Sequence, residues 1–280
     1  MSGTVFAALL FGALMSAISN AIVKGSSNNY LRAVLVANSA ALIAVILLPF
    51  LRQPAPQAWL FIAASALLQV GYYTLLAAAF RAGDMSHAYP IMRGSAPLLV
   101  SLVSSPLIGE ALSLGKWIGV AMICGGVMGL AWEAHYRATT KNNVVKYALL
   151  NALIIAAYTV VDGIGVRRSG ASFGYMMWIQ LLTAFMLSIW TIGTRRRELF
   201  SYAAGRWRIA LVGGLATTTA YGIILWAMTQ APIAVVAALR ETSMIFVLAI
   251  AVIVFKERAG MRGYGATSLI ACGAAAIRIW

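Results

Sequence analysis

Two arginines stand inside long stretches of apolar residues, where a charged side chain needs a specific partner. Arg93 and Arg240 lie 147 residues apart, and Glu241 directly follows the second arginine. A guanidinium group binds a carboxylate through charge-assisted hydrogen bonds, so one or both arginines are candidates for attracting the carboxylate of a small ligand. The alternative is internal pairing, of Arg240 with Glu241 and of Arg93 with a backbone carbonyl. The residues alone leave both interpretations open.

Aromatic side chains in the interiors of other apolar stretches favour a ligand with a flat apolar group. Tyr72 and Tyr73 follow Gln69 by one helical turn, and Tyr221 and Trp178 occupy comparable interior positions. Each ring contact is worth about 0.5–1.5 kcal/mol, and aromatic faces also attract cations. Ordinary core packing is the alternative for each of these rings.

Polar residues recur at helical spacing in the first apolar stretch, and similar residues occur in the sixth. Ser16 and Asn20 lie one turn apart, and Tyr158 follows Asn151 in the later stretch. Such side chains are expected to face a protein interior, where they bind a ligand or a neighbouring helix. For Asp162, near the end of the sixth stretch, snorkelling toward the membrane surface is an alternative. Together the candidate ligand-binding residues are Ser16, Asn20, Gln69, Tyr72, Tyr73, Tyr89, Arg93, Tyr158, Trp178, Tyr221, Arg240 and Glu241.

Prolines interrupt the stretch that contains Arg93. Pro90, Pro97 and Pro106 each remove a backbone hydrogen bond and can kink a helix. We expect Pro90 and Pro97 to act as gating residues in a helix that moves. A static bend that suits packing is the alternative interpretation.

These residues must be positioned by membrane-spanning helices, because short polar gaps divide the chain into about ten long apolar segments. Hydrophobic residues make up 62% of the chain and charged residues 10%, against roughly 25% charged residues in a soluble domain. A bilayer core about 30 Å thick requires roughly 20 apolar residues per helix, and helices satisfy the backbone of such segments internally. We therefore predict an all-α, polytopic membrane protein with ten transmembrane helices. The predicted segments are 4–23, 31–50, 57–80, 86–108, 113–132, 145–164, 173–194, 207–230, 232–255 and 261–279.

The net charge of +14 is concentrated in the predicted loops on one side of the membrane. The largest group of basic residues there is Arg195, Arg196, Arg197, Arg206 and Arg208. Basic loops stay cytoplasmic, which predicts that both termini face the non-cytoplasmic side of the membrane, expected to be the inner (plasma) membrane. The charge therefore indicates topology rather than binding of nucleic acid.

The chain also contains an internal duplication. Glu257 follows Glu110 at the same 147-residue offset as the two arginines. Each half contains five predicted helices, an odd number, so the halves insert in opposite orientations. Inverted repeats of this kind enclose a site near the bilayer midplane. We predict repeats at 1–134 and 145–280, joined by the loop 135–144, around a central cavity.

The stretch that leads to Glu110 resembles a known transporter signature. Residues 95–110, SAPLLVSLVSSPLIGE, and their counterpart, residues 242–257, are similar to repeated helices four and nine of the drug/metabolite transporter superfamily. The pattern resembles that of the ten-helix EamA-type exporters, where a comparable stretch ends in Gly-Glu before a glycine-containing fifth helix. More narrowly, the chain resembles the aromatic amino-acid exporters of the YddG type. The resemblance implies a basket of helices around a cavity that opens alternately to either side.

The resemblance also implies a function. It is that of a secondary transporter exporting small metabolites, with aromatic or other apolar amino acids as the expected substrates. An antiporter of organic anions or phosphorylated metabolites is the alternative within this class. An intramembrane enzyme or a non-transporting membrane subunit is the alternative outside it.

Several other functions are not expected. The sequence has no phosphate-binding loop for ATP, and we expect no cofactor, no metal site and no catalytic residue. The expected partners are the amino-acid substrate and membrane lipid, without nucleic acid, and the protein is expected to act as a monomer. The candidate proton carriers are His87, Glu110, Asp162, Glu241 and Glu257, with Glu110 and Glu257 capping loops as the alternative.

Overall fold

The computed structural model describes residues 1–24, 28–82, 85–137, 142–254, 256 and 260–280, and all regular secondary structure in these ranges is helical. Part of the predicted loop 135–144, and Glu257, lie outside the described residues. Short 3₁₀ turns at Leu48–Phe50 and Pro56–Ala58 connect the second helix to the third. The helices are α1 (Gly3–Lys24), α2 (Asn29–Leu47), α3 (Trp59–Ala82), α4 (Met85–Ile108), α5 (Leu114–Arg137), α6 (Asn142–Ser169), α7 (Ser172–Met228), α8 (Ile233–Arg240), α9 (Ser243–Ile253) and α10 (Met261–Ile279).

Large apolar side chains cover much of the exterior. Leu60 is 78% exposed, and Leu107 and Trp190 are 66% and 67% exposed. Soluble monomers rarely present large apolar surfaces to water, whereas lipid solvates them. Within the described ranges, six helical stretches are long and apolar enough to cross a bilayer, and the 57-residue α7 is counted as a single stretch among them. The protein is therefore an all-helical, polytopic membrane protein, which confirms the predicted fold class.

The predicted seventh and eighth segments form one 57-residue helix, α7, bent at Arg195 (φ −142°, ψ 37°). Gln180 and Thr218, 38 residues apart, form a hydrogen bond of 3.3 Å. In a straight helix they would be about 57 Å apart, at a rise of roughly 1.5 Å per residue. The two arms of α7, residues 172–194 and 196–228, are therefore antiparallel and cross the bundle twice.

The predicted ninth segment is divided into α8 and α9 at Glu241 and Thr242. The backbone N–H groups of these two residues donate to carbonyls three residues earlier, at Ala238 (2.9 Å) and Leu239 (3.1 Å). Such a 3₁₀ step tightens a helix and changes which way the following side chains point. Every residue of α8 is buried, so α8 lies in the core of the bundle.

Helices of the two halves pack against each other rather than forming separate lobes. α3 and α4 pack against α6, α1 and α2 pack against α7, and α5 packs against α10. The α5–α10 contact depends on glycine, since a Cβ atom added at Gly119 would lie 2.8 Å from the Gly273 carbonyl oxygen. Small residues allow this close approach of helices in a membrane. The result is a single bundle that brings both halves to one interior.

Candidate functional site

A cavity of about 200 Å³ lies among α1, α2, α3, α4, α6, α7 and α8. It extends toward the ends of α1 and α3, because Val23 and Leu76 belong to its wall. Most of the predicted binding residues lie together in this wall, and their role in binding stays a prediction. They are Ser16, Asn20, Gln69, Tyr72, Tyr73, Tyr89, Arg93, Tyr158, Tyr221 and Arg240.

Four polar wall residues were not among the predicted ones. They are Ser19, Gln180, Thr183 and Thr217. The hydroxyls of Ser19 and Thr217 lie 2.6 Å apart and join α1 to α7. Ser19 follows Ser16 by three residues and Thr217 precedes Tyr221 by four, a spacing that places side chains on one helical face. Helical spacing from the predicted residues is therefore the signal that identifies Ser19 and Thr217.

Glu241 pairs with both arginines. Its Oε2 lies 2.8 Å from Nε of Arg93, and its Oε1 lies 3.3 Å from Nε of Arg240. Arg93 also donates from Nη2 to the Ser243 hydroxyl at 3.2 Å. The glutamate side chain is fully buried, while 11% of the Arg93 side chain and 7% of the Arg240 side chain are exposed. Both arginines are thus paired internally and also line the cavity. The partner of Arg93 is the carboxylate of Glu241 and not the backbone carbonyl that was the alternative.

One carboxylate between two guanidinium groups leaves this cluster with a net positive charge. The 3₁₀ step after α8 explains why the consecutive side chains of Arg240 and Glu241 point in different directions. Arg240 reaches the cavity wall, while Glu241 lies behind the wall against Arg93. Among the described residues, Glu241 is therefore a partner of the predicted arginines and not a wall residue.

Tyrosines surround the same cavity. The Tyr72 ring meets the rings of Tyr73 and Tyr158 edge to face, with centroids 5.1 Å and 6.2 Å apart. The guanidinium carbon of Arg93 lies 5.8 Å from the centroid of the Tyr89 ring. Edge-to-face pairs and cation–π contacts fix ring positions. The wall therefore combines aromatic faces with phenolic hydroxyls close to the positive cluster.

A hydrogen-bonded chain leads from the cavity to a buried acid. Gln69 Nε2 donates to the Tyr221 hydroxyl at 2.9 Å, and that hydroxyl donates to Asp162 Oδ2 at 2.5 Å. Asp162 is 1% exposed. The snorkelling alternative for Asp162 is therefore wrong, because α6 turns the carboxyl inward toward α7.

Trp178 lies outside the cavity wall. Its indole N–H donates to the Gln53 side-chain oxygen at 2.8 Å, and its ring packs edge-on against Trp59 with centroids 5.0 Å apart. The residue thus packs against the connection from α2 to α3. Pro90 and Pro97 lie inside the continuous helix α4, and the Ser101 hydroxyl donates to the Pro97 carbonyl at 2.8 Å. Their gating role stays a prediction.

An ion pair joins the two halves at the end of the bundle opposite to the ends of α1 and α3. Glu110 Oε1 lies 2.6 Å from Arg167 Nη2, and Glu110 Oε2 accepts from the backbone N–H of Ile233 at 2.8 Å. Arg167 also donates to the carbonyls of Met228 (2.7 Å) and Ala231 (3.0 Å). These contacts satisfy backbone groups at the end of α7 and the start of α8. Glu110 therefore has the capping role that was one of its two expected functions.

Comparisons with known proteins agree with this architecture. The model of the EamA-like transporter family matches residues 3–132 and 143–279. One solved structure, described as a crystal structure of a protein, superposes with a TM-score of 0.80 over 100% of this chain and 98% of its own, at 18% sequence identity. At that identity the likeness shows the shared fold.

A curated relative matches a shorter region. The uncharacterized protein y4nH of Sinorhizobium fredii is 40% identical over 57 residues, which are 20% of this chain and 49% of that protein. The chain thus spans about half the length of the curated relative it matches.

The chain belongs to the EamA-like transporter family, since two copies of the family model together cover nearly all of it. Members of this family are membrane transporters of small molecules rather than enzymes. The two copies correspond to the internal duplication seen in the sequence.

Proposed function

We propose that the protein is a secondary transporter that exports amino acids with aromatic or other apolar side chains by alternating access across the inner membrane. The observation that carries this proposal is the joint placement of a positive cluster and tyrosine rings around one cavity. Arg93 and Arg240 both line the cavity and share the single carboxylate of Glu241. The remaining positive charge suits a substrate carboxylate, and the rings suit an apolar side chain.

Arg240 is the arginine better placed to bind the substrate carboxylate. Arg93 is held on two sides, by Glu241 and by the Ser243 hydroxyl. Arg240 contacts Glu241 through Nε, and its terminal nitrogens form no hydrogen bond or ion pair within the described residues. A guanidinium whose terminal nitrogens are free at a cavity wall can form new charge-assisted hydrogen bonds without breaking existing ones.

The orientation proposed from the basic loops places substrate entry on the cytoplasmic side. The cavity extends toward the ends of α1 and α3, the side to which those loops belong, and the Glu110–Arg167 pair lies at the opposite end. An exporter open on this side takes up its substrate from the cytoplasm. Both termini then face the non-cytoplasmic side, and tags accessible from outside intact cells would test this.

Counterflow in proteoliposomes tests the proposal. Vesicles containing the purified protein are preloaded with unlabelled compound, and the uptake of labelled compound is measured. The panel contains phenylalanine, tryptophan, methionine, threonine, a cationic dye and a triose phosphate. We expect the aromatic amino acids and methionine to exchange. Exchange of the dye alone would contradict the proposal, and absence of flux for every compound would favour a non-transporting subunit.

Arg240→Gln tests the carboxylate contact. Hydrogen bonds to charged groups contribute about 1.5–3 kcal/mol, so the apparent affinity for phenylalanine should fall roughly tenfold to a hundredfold. Arg197→Gln is the matched control, because Arg197 is exposed on the second arm of α7. Equal effects of the two substitutions would contradict a specific role for Arg240.

An antiporter of organic anions is the second candidate, and the excess of arginine over carboxylate at the cavity favours it. The two candidates differ in the compound that exchanges. A phosphorylated anion needs both guanidinium groups and no aromatic surface, so triose phosphate would exchange and phenylalanine would not. The counterflow panel therefore separates them in one experiment.

A further inference from the structure

Asp162 differs from the other acidic residues that the structure describes inside the bundle. Glu110 pairs with Arg167, and Glu241 pairs with two arginines. Asp162 is about as buried as Glu241, and within the described residues no lysine or arginine lies within ion-pair distance of its carboxyl group. A buried carboxylate without a cation is costly in a membrane interior, and binding a proton removes that cost.

The groups that face Asp162 are mainly hydroxyls, so a bound proton would neutralise a charge that no neighbouring side chain in the described ranges pairs with. Tyr221 and Tyr175 face it from α7, the Ser65 hydroxyl faces it from α3, and Arg240 acts on it from α8 at longer range. From α4, Arg93 pairs with Glu241 at 2.8 Å and not with Asp162. The groups nearest to the Asp162 carboxyl are thus hydroxyls.

The Tyr221 hydroxyl connects this acid to the cavity. Tyr221 belongs to the cavity wall, while Asp162 lies behind it and is reached through the 2.5 Å hydrogen bond. Gln69, on α3, donates to the same hydroxyl at 2.9 Å. The Tyr221 hydroxyl therefore faces the cavity and also contacts the buried acid. The protonation state of Asp162 thus determines whether this hydroxyl offers the cavity a hydrogen-bond acceptor or a donor.

We propose that Asp162 is a proton-binding site and that the protein exports its substrate in exchange for protons, an inference that rests on the proposed function. With Asp162 ionised, Tyr221 donates its hydrogen to the carboxylate, and the oxygen lone pair that Gln69 does not occupy accepts a substrate ammonium group from the cavity. With Asp162 protonated, the acid donates to Tyr221, and the phenolic hydrogen turns toward the cavity and repels the ammonium group.

Proton and substrate therefore exclude each other without sharing the same atoms. One proton enters from the non-cytoplasmic side as substrate leaves, and the same proton is released to the cytoplasm when the next substrate binds. No oxidant, reductant or covalent step is involved. Such mutual exclusion is the condition for coupled antiport, because each ligand shifts the site away from the other.

A pH gradient across proteoliposomes tests the inference, with counterflow of phenylalanine as the separate test of the proposed function. At zero membrane potential, with the interior one pH unit more acidic, one-for-one exchange supports accumulation of up to about tenfold. We expect wild-type protein to accumulate labelled phenylalanine toward that limit. Asp162→Asn should retain counterflow and lose accumulation. Glu198→Gln, which alters an exposed acid in the 196–228 arm of α7, should retain both.

Each outcome decides the matter. Wild-type counterflow without pH-driven accumulation overturns proton coupling. Accumulation by Asp162→Asn equal to that of wild type overturns Asp162 as the proton-binding site. Both results leave the proposed function intact. Absence of wild-type counterflow overturns the proposed function and this inference with it. If Asp162→Asn fails to fold, the detergent-solubilised wild type decides: addition of phenylalanine to a weakly buffered solution should release protons to an indicator dye. No release overturns the inference.

Discussion

Glu241 is the one acidic partner that the described structure provides for two buried arginines, and its replacement should therefore be unusually costly. The substitution Glu241→Gln keeps the shape of the side chain and removes its charge. Arg93 and Arg240 then lose the carboxylate that they share at 2.8 Å and 3.3 Å. Breaking a buried ion pair by removing one partner costs about 3–5 kcal/mol, because the remaining charge is left uncompensated.

The reciprocal substitution should cost less, although it removes as many charges. Arg93→Met leaves Glu241 paired with Arg240, so no charge in the cluster becomes uncompensated. The loss is then the hydrogen bond to Ser243 and the contact with Glu241, about 1–3 kcal/mol. With roughly 2–4 °C of Tm per kcal/mol for a protein near this size, Glu241→Gln should lower Tm by about 6–20 °C and Arg93→Met by about half as much.

Thermal unfolding of the detergent-solubilised protein, followed by intrinsic fluorescence at one fixed scan rate, measures this difference. Glu198→Gln is the control, since its side chain is 59% exposed and its ion pair with Arg195 is 3.9 Å long. Surface changes of this kind usually stay within about 0.5 kcal/mol. An Arg93→Met variant that unfolds at a lower temperature than Glu241→Gln would refute the reasoning, because Arg93 would then have a counter-charge other than Glu241.

Three further predictions concern the closed end, the helix contacts and the cavity wall. Glu110→Gln should loosen the end opposite the cavity, so that a cysteine placed at Ala231, 8% exposed in the wild type, reacts faster with a maleimide; an unchanged labelling rate would contradict a closing role. Gly119→Leu should destabilise the protein by about 1–3 kcal/mol, since its Cβ would lie 2.8 Å from the backbone of α10, whereas Gly265→Leu, with nothing within 4 Å, should leave Tm nearly unchanged. Tyr72→Leu should weaken phenylalanine binding about two- to tenfold through the loss of one ring contact. It should weaken methionine binding less, because methionine has no ring, and competition in counterflow measures both. Equal losses for the two amino acids would argue against ring recognition.

The number and position of the membrane segments could be predicted from the sequence, because the cost of burying charge in lipid sets where the chain crosses. The structure differs from the prediction where the cost of burying charge does not determine the backbone conformation. The basic stretch after residue 194 was predicted as a loop, but it contains no proline and continues as helix, with Arg195 alone outside helical geometry. The division of the ninth segment at Glu241 and Thr242 depends on tertiary partners of those side chains, which hydropathy does not encode.

The site could be predicted where its residues are energetically costly to place in a membrane or are rare there. Arginine and clustered tyrosine identified most of the cavity wall. What failed is the choice of helical face. Trp178 and Gln180 lie two residues apart on a helix that is apolar nearly all round, and the wall receives Gln180 while Trp178 contacts Gln53. A nearly uniform apolar helix carries little information about which side faces lipid and which faces protein.

The complete burial of α8 has a consequence for how this gene can change over time. A helix that faces lipid tolerates many apolar exchanges on its outer side, so its mutational tolerance rises and falls with the helical period. α8 consists mainly of alanine and valine enclosed on every side. Tolerance to substitution along α8 should therefore be uniformly low, because each added methyl group would contact a neighbouring side chain. Substitutions elsewhere in the bundle should likewise be tolerated least where they pack against α8.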